Sequence, residues 1–284
     1  MKAPPGFTPY TGRTFVGWIH DGFQPPDELL DRPEEMSRLP GAEHLLDCRG
    51  RQIYRLPLIF EGVPRSCFAY YFTNASLGRS LRRSYAFRTL RTSLRLKKHG
   101  FSTLDVFAAL KRRGELLNWT GLLIAGDLQS VHELPSAGRH VFQIHATISL
   151  SAELAASLGR FLATLHDTGF FHGDLKTRHI LLTQGPDGCT FHLVDLEKCL
   201  YLPRLVSPLK VLAASRDLVQ LFASLPEAEM ECAGEVLLSS YMDAVRFSPR
   251  QKERLRQITG LYGKRGRFRQ GRTLLANVLD LVKR

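Results

Sequence analysis

Two aspartates, a lysine and two histidines crowd a short stretch in the second half of the chain. They lie in His172-Gly173-Asp174-Leu175-Lys176-Thr177-Arg178-His179 and, after a short interval, Val194-Asp195-Leu196. A carboxylate can orient and deprotonate a hydroxyl or hold a metal ion, an ammonium neutralises anionic oxygens, and imidazole can serve either purpose. Phosphoryl transfer makes those demands together and asks for little covalent work from the protein. Each residue alone has an ordinary explanation. An HGD triplet arises by chance, Asp195 can simply end a strand, and His172 can be a satisfied core histidine. Weight comes from the conjunction of helix, triplet, lysine two residues on, apolar strand, turn, apolar strand and aspartate.

The elements that must position these residues are legible nearby. Residues 151–167 read as a helix with the apolar stripe Leu154, Leu158, Phe161, Leu162 and Leu165. Ser151 is its N-cap, Glu153 suits the first turn, and Gly169 follows its end. Ile180-Leu181-Leu182 and Phe191 to Leu196 read as a hairpin around residues 184–188. Upstream, residues 51–60 and 66–72 read as strands joined by the turn Glu61-Gly62-Val63-Pro64. Residues 79–98 read as a helix through Leu81, Tyr85, Phe87, Leu90 and Leu94, ended by Gly100. Residues 104–110 and 120–125 suggest further strands, 127–134 a linker entering a short helix, and the chain from about Ser215 is mostly helical. Residues 1–46, rich in Pro, Gly and charge, read as loop plus a short helix.

Strands in the first half and helices in the second predict an α+β fold of two lobes, an N-terminal antiparallel sheet lobe and a mainly helical C-terminal lobe, with a cleft between them. The expected division is an N-terminal extension over 1–46, a sheet lobe with one basic helix over 47–126, and a catalytic lobe over 127–284. Hydrophobic residues make up 44% of the 284, enough for a sizeable core. Cys48, Cys67, Cys189, Cys199 and Cys232 are odd in number and form no CxxC pair, which argues against a disulfide framework or a zinc site. No stretch approaches the roughly 20 apolar residues of a membrane span, and the start lacks a signal-type apolar core. A cytoplasmic protein is expected.

The helix–loop–hairpin order resembles the kinase layout H-R-D-L-x-x-x-x-N followed by D-F-G. That resemblance implies Asp174 as catalytic base, Asp195 as the Mg²⁺ ligand, and Lys176 as the neutraliser of the γ-phosphate. It places His179 where kinases carry the second metal-contacting Asn, and His172 as support beneath the loop. More narrowly, the chain is similar to the lipopolysaccharide kinase family of the Kdo kinase, WaaP and InaA type over about residues 50–260. The carrying segments are Leu165-His166-x-x-Gly169-x-x-His172-Gly173-Asp174-Leu175, Val194-Asp195-Leu196 and Arg216-Asp217-Leu218-Val219-Gln220-Leu221, and residues 126–134 resemble the hinge. The family implies ATP and Mg²⁺ as cofactors and a lipopolysaccharide-core or other anionic lipid-linked sugar as acceptor, at the cytoplasmic face of the inner membrane. Asp217 is the family's candidate anchor for the backbone of the catalytic loop.

The first half departs from the kinase pattern. The position of the strand lysine falls at Tyr70 or Tyr71, no acidic residue occurs between Gly62 and Leu104, and no G-x-G-x-x-G loop is present. Arg65, Arg88 and Lys176 are the cations that can substitute. A pseudokinase-like binding or regulatory module, or a protein or small-molecule phosphotransferase, are the competing readings.

The net charge of +12 points to an anionic partner. Arg88, Arg91, Arg95 and Lys98 share one helix face. A second cluster holds Arg246, Arg250, Lys252, Arg254, Arg256, Lys264, Arg265, Arg267, Arg269 and Arg272. An anionic membrane surface fits these basic helices. Nucleic acid is disfavoured, because aromatic stacking residues are not interleaved with the charges.

Overall fold

The computed structural model describes residues 3–48, 50–73, 84–115, 120–128, 131–134, 146–186 and 188–263. The chain divides into two compact units, one of residues 1–98 and 103–129, the other of residues 99–102 and 130–284.

The first unit is built on an eight-stranded sheet. Its strands are β1 (Phe7–Thr11), β2 (Phe15–His20), β3 (Phe23–Gln24), β4 (Glu43–Cys48), β5 (Arg51–Phe60), β6 (Val63–Thr73), β8 (Val106–Arg112) and β9 (Thr120–Gly126). The order is β1-β2-β8-β9-β6-β5-β3, with β4 also on β5, and every pairing is antiparallel. A two-residue turn joins β5 to β6. Glu61 (φ 52°) and Gly62 (φ 76°) both take positive φ, as the twist of a tight hairpin requires. Val63 and Pro64, expected in the turn, already belong to the strand.

A sheet exposes two faces, and both are covered. One packs against helix α2 (Tyr85–Lys98) through Trp18, Phe72, Phe87, Leu90 and Leu123. The other is closed by helix α1 (Asp27–Asp31) and the 3-10 turn Pro33–Arg38, whose Leu29, Leu30 and Met36 bury against Leu56, Phe60 and Ile124. Residues 1–46 are therefore not loop with a short helix attached to a finished lobe: three of the sheet's strands, most of a fourth and the cover of one face come from them. Two features hid the strands. Pro9 sits in β1, which pairs only with β2, and an edge strand tolerates a residue without an N–H. Gly17 lies inside β2, where a Cβ would come within 2.2 Å of the Ala109 carbonyl oxygen. Of helix 79–98, residues 79–83 lie outside the described residues.

Cys67 of β6 is fully buried in this core. Burial, then the nearby Asp127, push its thiol up to about 11. A thiol reagent at about pH 8, where an ordinary cysteine is substantially thiolate, should modify exposed Cys232 and spare Cys67 in the folded chain. Peptide mapping by mass spectrometry checks this, and comparable labelling of both would contradict the packing described.

Strand β7 (Ser102–Thr103) straddles the boundary of the units. The second unit holds β10 (Val131–Glu133), β11 (Ala146–Thr147), β12 (Phe170–Phe171), β13 (Ile180–Gly185), β14 (Gly188–Leu193) and β15 (Leu200–Tyr201). Its helices are α3 (Ala152–Asp167), α4 (Ser207–Ser224), α5 (Glu227–Ala244) and α6 (Pro249–Gly263). Residues 131–133 form a strand on β13 where a short helix was expected, because the apolar Val131 and Leu134 bury at the hairpin rather than along a helix face. Helix α3 begins at Ser151, whose Oγ accepts the Leu154 N–H at 3.2 Å. It packs closely on α5: a Cβ on Gly159 would lie 2.4 Å from the Leu237 carbonyl oxygen. Among the described residues, no helix is long and apolar enough to cross a membrane.

Candidate active site

Gly169 ends α3 with φ +93°, and the chain passes through β12 into the loop that carries the reactive groups. The loop is held from behind by one carboxylate. Asp217, fully buried on α4, accepts the His172 N–H at 2.6 Å and the Gly173 N–H at 2.8 Å, one on each oxygen. Gly173 takes φ +77°, and a Cβ there would lie 2.6 Å from the Lys198 carbonyl oxygen. The glycine between histidine and aspartate is thus demanded by conformation and by close backbone approach.

Behind Asp217 lies a further buried layer. Burial first, then the charges of Asp167 and Asp217, hold the Tyr241 phenol well above its usual range. It keeps its proton, and its hydroxyl shares a hydrogen bond with His166 Nδ1 at 2.9 Å. His166 Nε2 lies 3.4 Å from Asp217 Oδ2, near it but not hydrogen-bonded to it among the described residues. Side chains of three helices, α3, α4 and α5, thus gather behind the loop. Thr177 N–H adds a third backbone tether, donating to Ser224 Oγ, again of α4, at 2.9 Å.

His172 joins the loop to the hairpin. Its Nε2–H donates to the Val194 carbonyl at 2.9 Å, immediately before Asp195, and its ring stacks on that of His179 with centroids 5.7 Å apart. His179 Nδ1 bonds the Asp174 carbonyl at 2.8 Å, which requires the proton on Nδ1 and leaves Nε2 as an acceptor. Nε2 faces Asp195 Oδ2 at 3.5 Å and also accepts from Arg178 Nε at 3.2 Å. Burial is the main reason the imidazole pKa falls to about 4, with Asp195 opposing it and the neighbouring His172 adding to it.

His179 is therefore neutral near pH 7. Because its folded value lies below the ordinary 6.5 or so, its contribution to stability is complete above about pH 6.5 and is lost as the pH falls towards about 4. With divalent metal chelated, the unfolding midpoint of the wild type should drop more steeply across that window than that of His179→Gln. Parallel slopes would contradict the assignment.

Asp174 carries two ammonium groups. Lys176 Nζ lies 2.9 Å from Oδ1 and Lys198 Nζ 2.7 Å from Oδ2. Burial raises the carboxyl pKa, but the hydrogen bonds and charges of Lys198 and Lys176 outweigh it, and the net shift is downward. Asp174 is ionised at neutral pH. Residue spacing gives Lys198 no role beyond its place three residues after Asp195.

Asp195 sits at the end of β14 with φ 55° and ψ 53°, a left-handed conformation that non-glycine residues seldom adopt and that concentrates at functional sites. Its Oδ1 is buried and finds no hydrogen-bond partner among the described residues. Ligand atoms of Asp174, His179 and Asp195 all lie within 4.8 Å of one another. An orphaned buried carboxylate oxygen beside a neutral imidazole nitrogen fits a divalent cation, with Asp195 and His179 as its protein ligands.

The other sequence candidates belong to the first unit. Tyr70 packs on the α2 face of the sheet and Tyr71 on the opposite face, so only Tyr70 lies on the helix side of the strand. The Arg65 guanidinium lies over the Phe60 ring at 5.0 Å, and Arg88 is half-buried on α2. In the hinge-like segment, Asp127 accepts from Ser66 Oγ at 2.9 Å and pairs with Arg55 at 3.2 Å. Gln129 and Ser130 lie outside the described residues, as do Lys264, Arg265, Arg267, Arg269 and Arg272 of the second basic cluster.

A two-lobed α+β fold with a helix–loop–hairpin centre of this kind defines a protein-kinase-like protein. The model of the lipopolysaccharide kinase (Kdo/WaaP) family matches residues 70–255, more than half of the chain. The chain belongs to that family of kinases. Among solved structures, WaaP in complex with acyl carrier protein superposes with a TM-score of 0.54 at 18% identity, covering 86% of this chain and 96% of that one. The PknI kinase domain of Mycobacterium tuberculosis (double mutant) gives a TM-score of 0.41 at 12% identity over 79% and 96% of the two chains. The Rio2 kinase–ADP/Mg²⁺–phosphoaspartate complex from Chaetomium thermophilum gives 0.43 at 13% over 92% and 82%. No curated protein matches the chain.

Proposed function

We propose that this protein is an ATP-dependent kinase that phosphorylates a hydroxyl of a lipopolysaccharide inner-core sugar at the cytoplasmic face of the inner membrane. The observation that carries the reading is the assembly of an ionised Asp174, its two lysines, and the Asp195–His179 pair around one point. In this reading Asp174 orients the acceptor hydroxyl and takes its proton. Asp195 and His179 hold Mg²⁺, which when bound neutralises charge on the nucleotide phosphates. Arg178, which is exposed, yields Nε2 of His179 to that ion.

Lys176 and Lys198 supply two further services. They keep Asp174 ionised before the acceptor arrives, and they offer cations where charge gathers on the transferred group. His172 and Asp217 fix the backbone beneath. Family membership supports the phosphotransferase class, and the family's description as lipopolysaccharide kinases supports an acceptor of that kind.

Tyr70, standing where a kinase strand carries lysine, favours a second reading, a binding module without turnover. Purified protein, Mg·ATP and a core-oligosaccharide acceptor separate the two. The first reading expects phosphate transfer and a rise in unfolding temperature with Mg·ATP, since a ligand that binds only the folded state stabilises it. Neither transfer nor thermal shift would leave the second.

A further inference from the structure

The chain leaves Lys198, which holds Asp174, and enters β15 directly. Tyr201 of β15 turns inward, pairs with Phe170 and packs on its ring at 4.5 Å. Side chains alternate along a strand, so Leu200 and Leu202 point the other way, 51% and 38% exposed. A turn closed by Leu205 N–H on the Leu202 carbonyl leads into α4. There Val206 (62% exposed) and Leu209 (45%) stand three residues apart on one side of the helix start. Among the described residues, the other large apolar side chains of comparable exposure are Ile59 and Val63, both in the first unit. A concentration of this kind within ten residues marks an interaction surface.

The segment is also one-sided in charge. From Lys198 to Arg216 the sequence carries Lys198, Arg204, Lys210 and Arg216 and no carboxylate. It is tied down at both ends rather than loose. Leu202 N–H donates to the Gly169 carbonyl at 2.8 Å, and Gln251 of α6 hydrogen-bonds Ser207 at the start of α4.

We infer that residues Leu200–Lys210 dock this protein on the surface of an anionic phospholipid bilayer, with Leu200, Leu202, Val206 and Leu209 entering the acyl–headgroup boundary and Arg204 and Lys210 meeting the headgroups. Exposed leucines and valine suit that boundary, cations without carboxylates suit its negative potential, and the combination of the two selects it. The consequence for the reaction is positional. Lys198 binds Asp174 two residues before the patch begins, so the docked segment is joined directly to the loop that carries the proposed base. The inference rests on the reading of the acceptor as membrane-borne. Its test uses neither ATP nor acceptor, so the two can fail separately.

The full chain is mixed with sedimentable vesicles of phosphatidylethanolamine and phosphatidylglycerol, and with vesicles of phosphatidylcholine alone. The wild type should pellet with the first and much less with the second. The L200S/L202S/V206S/L209S variant should lose on the order of tenfold or more in partitioning. A single Val206→Trp variant should show a blue shift of its added emission on anionic vesicles, and it decides the matter if the quadruple variant fails to fold. Undiminished binding by a folded quadruple variant, no binding by the wild type, or an unmoved Val206→Trp emission overturns the inference. So does a patch whose loss abolishes self-association in sedimentation velocity while vesicle binding persists.

Discussion

Asp174→Ala is expected to lower ATP-dependent phosphate transfer by about 10²- to 10⁴-fold, the usual effect of deleting a positioned general base. The loss should fall on kcat, because the carboxylate acts on the acceptor's proton and not on the nucleotide. Mg·ATP should still raise the unfolding temperature of the variant, since Asp195 and His179 remain. The substitution also releases Lys176 and Lys198 from a partner that is itself only 15% exposed in its side chain. Both lysines reach solvent, at 33% and 47% side-chain exposure, so neither becomes a buried unpaired charge. The variant should therefore fold, with a far smaller change in stability than in rate. Transfer at the wild-type rate by a folded Asp174→Ala protein would remove Asp174 from the role of base.

Asp217→Ala is expected to act in the opposite proportion, through the fold of the loop. Removing the carboxylate leaves the His172 and Gly173 N–H groups buried without acceptors. Two orphaned buried donors cost about 1–3 kcal/mol each, so a loss of about 3 kcal/mol or more in stability is expected from denaturant unfolding. Asp217→Asn should recover only part of it, because one oxygen becomes an NH₂ that meets an N–H head-on. Activity should fall with the population of the ordered loop, and amide exchange at His172 and Gly173 should accelerate well before global unfolding. Unchanged stability in Asp217→Ala would mean that the three-helix network behind the loop carries no weight.

The position where the kinase pattern carries a strand lysine falls at Tyr70 or Tyr71, in the first unit. Tyr70 occupies the α2 side of β6, and α2 carries no acidic residue. The absence of both members of a lysine–glutamate pair is consistent in itself, since one alone would be a buried unpaired charge. In the second unit, Asp174 is flanked by two lysines, Lys176 and Lys198.

What the sequence determined by itself is local. Helix α3, the loop after it and the hairpin β13–β14 are contiguous, and their caps, glycines and apolar spacing are readable because each element is specified within a few residues of itself. The triplet His172-Gly173-Asp174 and the later Asp195 could be picked out for the same reason, and family resemblance named Asp217. Only the tertiary structure decided the rest. Lys198 meets Asp174 across 24 residues, Tyr241 meets His166 across 75, and His179 shows its acceptor nitrogen to Asp195 only because its other nitrogen is bonded to the Asp174 carbonyl. No periodicity records such pairings. The first 46 residues hid their strands because an edge position and a close sheet contact admit the proline and glycine that elsewhere signal a loop. Residue types and spacing thus marked out Asp174, Asp195 and the nearby Lys176, and long-range packing brought Lys198, Asp217 and the Asp195–His179 pair to them.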